Sequence, residues 1–265
     1  MNITKMLKKK IKNEGSDNIS KKPKKGGFFA TIRMVLYAIL AALILRTVAL
    51  EPFNIPSGSM IPNLMVGDYL FVSKYSYGYS KYSLPWSLPL WSGRILGGEP
   101  ERGDVAVFKL PRDNETDYIK RIIGLPGDRI QVRNGVVYLN DRPLKRNKIK
   151  NFEYKDSNGH IRRLEQYRET LPNGVSYNIL EATPYGALDD TPIYTVPIKH
   201  YFAMGDNRDN SLDSRVLSAV GYIPEENLVG RAEFTFYSTN GIADIWEVWK
   251  WGESTRFERV FKSID

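Results

Sequence analysis

Cysteine is missing from this 265-residue chain, and histidine occurs only twice. Without thiols there is no disulfide frame, no thiolate zinc site, no lipid-modified cysteine and no cysteine nucleophile. His160 and His200 stand in polar or turn contexts, so a Ser-His-Asp triad has little to draw on. The spacing Ser-x-x-Lys occurs nowhere, which excludes the helix-borne serine and lysine of penicillin-binding acyl enzymes. Internal repeats are absent, as is any long amphipathic pattern after residue 51. The length allows one large domain or two small ones, each able to bury a core.

The formal net charge of +8 suggests nucleic acid until it is placed along the chain. Residues 1–27 hold nine lysines against Glu14 and Asp17, and Arg33 and Arg46 follow, which leaves about −1 for everything else. A basic nucleic-acid face on the folded part is therefore disfavoured. The tail is too polar to bury surface that would offset its ordering entropy, so 1–27 is expected to be disordered and to orient the chain at a membrane. Residues 28–50 are apolar apart from Arg33, Arg46 and two threonines, and a bilayer core needs about 20 residues of helix. One transmembrane helix is the expectation, with a cleaved signal peptide as its rival. The lysine excess predicts a cytoplasmic N-terminus and translocation of all that follows.

Beyond Gly67 the pattern becomes alternation in short runs. Tyr69–Val72, Val105–Phe108, Asp128–Val132 and Gly135–Leu139 read as strands, and Asn134-Gly135 reads as a hairpin turn. This predicts a mainly β protein: an antiparallel catalytic-size domain over 51–265, with the more polar stretch 142–195 as an inserted β-rich subdomain. Trp86, Trp91, Trp246, Trp249 and Trp251 suit either a core or a headgroup interface.

Three stretches carry candidate chemistry. Glu51-Pro52-Phe53-Asn54-Ile55-Pro56-Ser57-Gly58-Ser59-Met60-Ile61-Pro62 is stiffened by its prolines and sets two hydroxyls around a glycine among apolar residues. It is either a hinge outside a membrane span or a substrate-contacting segment whose glycine admits a peptide backbone. Tyr118-Ile119-Lys120-Arg121-Ile122-Ile123-Gly124 puts Lys120 on a probable strand, sharing a face with Tyr118 and Ile122. On a buried face its amine would lose charge and could accept a proton; on an open one it is an ordinary solvated lysine. Gly205-Asp206-Asn207-Arg208-Asp209-Asn210-Ser211-Leu212-Asp213-Ser214-Arg215 is dense in short polar side chains. It lacks the glutamate that completes an EF-hand loop, so a metal is not expected there.

Taken with Arg102-Gly103-Asp104, these motifs stand in the order and type of bacterial type I signal peptidases (leader peptidases), which the chain resembles from the membrane helix to about Leu228-Val229-Gly230. The region around Trp86 and Trp91 matches no motif of that family, and some of its members have two membrane segments. The resemblance implies a membrane-bound serine endopeptidase with a Ser/Lys dyad and no cofactor. It would cleave N-terminal signal peptides from exported preproteins after Ala-x-Ala, on the outer (periplasmic) side of the bacterial cytoplasmic membrane. Its partners would be preprotein signal peptides, the lipid bilayer and, nearby, the export translocon.

By the same resemblance Ser59 is the nucleophile and Lys120 its general base. Ser57 supplies an oxyanion hydroxyl, and Ser211 orients the Lys120 amine. Phe53, Ile55, Pro56, Leu70, Val107 and Ile119 match the substrate pockets, while Arg121, Asp206, Asp213 and Arg215 brace the site. A membrane-tethered envelope β-domain without catalysis is the alternative, and it would leave Lys120 beside Ser57 and Ser59 without a role.

Overall fold

The computed structural model describes residues 28–84, 87, 92–155, 160–241 and 247–264, without the side chains of 43–48 and 155. The basic tail, Trp86, Trp91 and Trp246 lie outside the described residues, and the expectations made for them with it. Helix α1 (Phe28–Val48) has 21 residues. It stops short of the expected residue 50, because Leu50 already pairs with Ser73 as the first residue of a strand. Among the described residues no helix is long and apolar enough to cross a membrane, the described side chains of α1 ending at Ala42.

The rest is strand and turn. In chain order the strands are β1 (Leu50–Asn54), β2 (Asp68–Ser73), β3 (Val105–Lys109), β4 (Asp117–Gly124), β5 (Arg129–Arg133) and β6 (Val136–Leu139). Next come β7 (Arg142–Pro143), β8 (Lys145–Lys148), β9 (Phe152–Lys155), β10 (Ile161–Thr170) and β11 (Ser176–Glu181). The series closes with β12 (Tyr194–Thr195), β13 (His200–Met204), β14 (Ile223–Pro224), β15 (Leu228–Ser238) and β16 (Lys262–Ser263). The main sheet runs β1-β2-β15-β3-β4-β13-β14, with β16 on β15, and every named ladder in it is antiparallel. This is the mainly antiparallel β architecture that the alternation predicts.

Two smaller sheets, β11-β10-β8 with β9 and β12-β5-β6-β7, stand apart from it. They begin at Arg129, earlier than the polar stretch expected from 142. The cause is the turn at Asn134-Gly135, where both residues have positive φ (46° and 72°) and fold β5 tightly back on β6. The hairpin then pairs with β12 and not with the main sheet.

Position in the main sheet decides the rest. β1 lies at one edge, where Pro52 costs no ladder bond. Behind it Ile55, Met60, Leu64, Leu70, Val72, Val105 and Val107 form one apolar cluster. Complete burial of each such side chain stabilises the fold by about 1.5–3 kcal/mol. Trp251 packs against Tyr237 with the rings tilted and their centroids 5.3 Å apart, whereas Trp249 is exposed.

Candidate active site

After Pro56 the chain leaves β1, makes a single 3-10 turn at Gly58–Met60, and buries Ser59 and Met60. Met60 belongs to the apolar cluster, so its burial pins the hydroxyl of the residue before it. Lys120 arrives from the middle of β4, opposite Ala106 of β3. Its side chain is only 4 % exposed, and Nζ lies 2.7 Å from Ser59 Oγ. The amine also donates to the Ile119 carbonyl at 2.9 Å and sits 5.3 Å from the Tyr118 ring centroid. Burial pulls the Lys120 pKa down to about 8, against the opposing pull of the Asp213 and Asp206 carboxylates. A neutral amine is thus present in quantity at slightly alkaline pH.

The polar loop after β13 supports this pair from below. Arg121, wholly buried, makes a two-pronged ion pair with Asp206, Nε to Oδ1 and Nη2 to Oδ2 both at 3.0 Å. Its remaining nitrogen donates to Gly103 O at 2.8 Å, and its guanidinium lies 4.1 Å from the Tyr177 ring centroid. Arg215 grips Asp213 in the same two-pronged way, at 2.9 Å for each contact. Burial would raise the Asp213 carboxyl, yet Arg215 and the Gly205 amide hold it below its ordinary value. Both pairs are fixed by hydrogen bonds as well as charge, which is what makes buried ions tolerable. Ser211 is buried here too; its Oγ makes no well-formed hydrogen bond, but its hydroxyl helps to hold the Asp213 carboxyl low. The expected bond to the Lys120 amine is not formed; the Ile119 carbonyl takes the amine's second bond.

Ser57 is exposed, its Oγ 3.5 Å from that of Ser59. Around them opens a cleft of about 420 Å³ whose walls include Phe53, Ile55, Pro56, Val107 and Ile119. Leu70 is the exception among the expected pocket residues: it is fully buried in the cluster behind the cleft. The cleft also includes Asn54, Thr116, Asp117, Tyr118, Asn210 and Leu212, which sequence patterning did not single out. Four of them had a signal: Asn54, Tyr118, Asn210 and Leu212 fall within the three candidate stretches, and Tyr118 shares a strand face with Lys120. Neither histidine lines the cleft. Among the described residues one group of carboxylates, Glu181, Asp189 and Asp209, is close enough to share a cation, and Arg146 already pairs with Glu181 at 3.0 Å.

Gly205 is wedged under the pair. A Cβ there would come 2.1 Å from Ser211 Oγ and 2.7 Å from the Ser59 carbonyl oxygen. Gly205→Ala is therefore expected to push the Ser59 turn out of place and lower kcat/KM at least about 100-fold, since a displacement of about 1 Å in a catalytic site costs that much. Peptide-cleavage kinetics on the purified variant check it, and a loss below threefold would contradict it.

An amine and a hydroxyl brought together beside a free strand edge are what a hydrolase of extended peptides requires. The chain belongs to the signal peptidase family, peptidase S26, whose family model matches residues 28–237. Its activity is that of signal peptidase I, a serine peptidase that cleaves signal peptides from preproteins. The signal peptidase I of Rickettsia typhi is 40% identical over 245 residues, covering 86% of this chain and 90% of that protein. That of Rickettsia conorii is 41% identical over the same span and shares. A solved signal peptidase I from Enterococcus faecalis V583 is 27% identical and matches 51% of this chain and 97% of its own, with a TM-score of 0.30.

Proposed function

We propose that Ser59 attacks the carbonyl at the end of the signal peptide and that Lys120 takes its proton. The supporting observation is the 2.7 Å separation of Nζ and Oγ in a buried setting. The Ser59 O–H passes its proton to neutral Nζ as Oγ bonds to the carbonyl carbon. The oxyanion is met by the Ser59 N–H and the Ser57 O–H, donors worth about 3 to 4 kcal/mol each in such sites. The lysine ammonium then gives the proton to the leaving amine nitrogen as the C–N bond breaks. Water, deprotonated in turn by Lys120, releases the acyl group from Ser59. Ser211, beside Asp213 and close to Gly205, packs beneath the pair, and Asp206, Arg121, Asp213 and Arg215 keep that floor rigid.

The substrate adds as an extended strand along the free edge of β1, which leaves alternate side chains to enter the apolar cleft. Its narrow walls favour alanine at the first and third positions before the cut, Ala-x-Ala. An apolar pocket separates side chains differing by a methylene by only about 1 to 3 kcal/mol, so placement of the preprotein at the lipid surface supplies further selectivity.

In this reading α1 is a single membrane anchor. Its 21 residues extend about 31 Å at 1.5 Å each, close to the hydrocarbon thickness of about 30 Å. The lysine-rich tail keeps the N-terminus in the cytoplasm, and residues 51–265 work on the periplasmic side of the cytoplasmic membrane, near the export translocon, with the side sheets from Arg129 to Thr195 as an inserted subdomain.

The test is cleavage of an Ala-x-Ala preprotein by the full chain in detergent. Ser59→Ala is expected to yield no product, and a variant as active as the parent would overturn the assignment. The pH profile is a second check. Because the base must be uncharged, kcat/KM should climb about tenfold per pH unit on the acid side and level off above about 8. A profile flat between about pH 6 and 9 would contradict it.

A further inference from the structure

Asn207 is completely buried and grips the nucleophile turn at two points. Its side-chain Nδ2 donates to the Gly58 carbonyl at 2.9 Å, and its backbone N–H donates to the Ser59 carbonyl at 3.0 Å. The peptide between Gly58 and Ser59 is trans, hence planar, with its C=O and N–H pointing in opposite directions. Fixing the Gly58 carbonyl toward Asn207 therefore fixes the Ser59 N–H away from it. The turn's own bond to that carbonyl, from the Ile61 N–H, is the weaker at 3.3 Å.

Asn207 is itself held firmly. It forms a bridge with Leu180 of β11, its carbonyl accepts the Asn210 N–H at 2.9 Å, and its neighbours Asp206 and Arg208 are tied into buried ion pairs. Its Oδ1 has no partner, so burying this side chain is costly and the donor at Nδ2 is what the site gains from it. An apolar residue of that size would fill the space without that penalty.

We infer that Asn207 is a positioning residue that aims the Ser59 N–H at the developing oxyanion. This rests on Ser59 being the nucleophile. Asn207 does not touch the substrate; it acts through the Gly58 carbonyl. Its loss therefore weakens an interaction made in the transition state and leaves ground-state binding nearly intact.

The experiment compares Asn207→Ala and the isosteric Asn207→Asp with the parent, as full chains in detergent, on a fluorogenic Ala-x-Ala peptide. Asn207→Ala should lose about 10- to 100-fold in kcat with KM within about threefold. Asn207→Asp carries a diagnostic that a purely structural role would not produce. Its protonated carboxyl can donate an O–H to the Gly58 carbonyl, whereas its ionised form repels that oxygen. Full burial raises a carboxyl by up to about 3 to 5 pKa units from its ordinary value of about 4, into the range between about pH 6 and 9. Activity relative to the parent at the same pH should therefore rise at least about fivefold as pH falls from about 9 to about 6, while the ratio for Asn207→Ala stays flat. A kcat for Asn207→Ala within twofold of the parent would overturn the inference, as would an aspartate variant that tracks the alanine variant at every pH. If Asn207→Ala does not fold, the aspartate ratio alone decides. Failure of the nucleophile assignment is separately visible, because Ser59→Ala would then keep its activity.

Discussion

Lys120→Met should reduce kcat/KM by about four orders of magnitude while the protein melts no lower than its parent. A positioned base supplies about 10² to 10⁴ in rate. Among the described residues neither histidine lines the cleft, and its one carboxylate, Asp117, is held by Lys109 at 2.9 Å, so Lys120 is the one group seated on the Ser59 hydroxyl. The fold should not suffer. Lys120 is buried without a salt bridge of its own, and removing an amine that is costly to charge relieves the interior of a burden. Lys120→Arg should be equally inactive, since a guanidinium keeps its proton at any working pH. Peptide kinetics and a thermal melt on each variant check both halves. An arginine variant with more than about a hundredth of parental activity would remove Lys120 from the role of base.

The second large effect is on stability. Asp206→Ala should destabilise the β domain by about 3 to 5 kcal/mol, because it strands the Arg121 guanidinium in the interior without its counter-ion. It also strips Asn63 Nδ2 of an acceptor at 2.7 Å. For a domain of this size that is a fall of about 10 °C in Tm. Whatever fraction folds should have its activity midpoint moved to lower pH, because Asp206 is one of the two carboxylates that hold the Lys120 proton on. A melt within about 2 °C of the parent would show that Arg121 finds another partner.

Much of this was legible in the residues themselves. Alternation revealed β2 to β6, and a positive-φ pair announced the hairpin turn. The order of the Ser59, Lys120 and Asp206–Arg215 motifs marked the family to which the chain belongs. What remained hidden was long-range. Nothing local to Lys120 says that residues 61 positions apart meet, or that Ile119 O and not Ser211 takes its second bond. Asn207 was unmarked because its work is done by an amide on a backbone carbonyl 149 positions away, and a loop full of short polar residues gives no hint which one reaches across. Leu70 matched a pocket position in type, yet strand β2 is one place in from the edge, so its side chain joins the core behind the cleft. The side sheets began early for a similar reason: which sheet a hairpin joins depends on its partner strand, here β12, from a distant part of the chain.

The proposed uncharged state of the Lys120 amine is open to direct observation. In full-length protein with labelled lysines, the Nζ resonance lost in Lys120→Arg should titrate with a midpoint near 8, together with the rise in kcat/KM. A midpoint near the ordinary lysine value of about 10.4 would mean that the amine stays protonated where the enzyme works, and Ser59 would need another base.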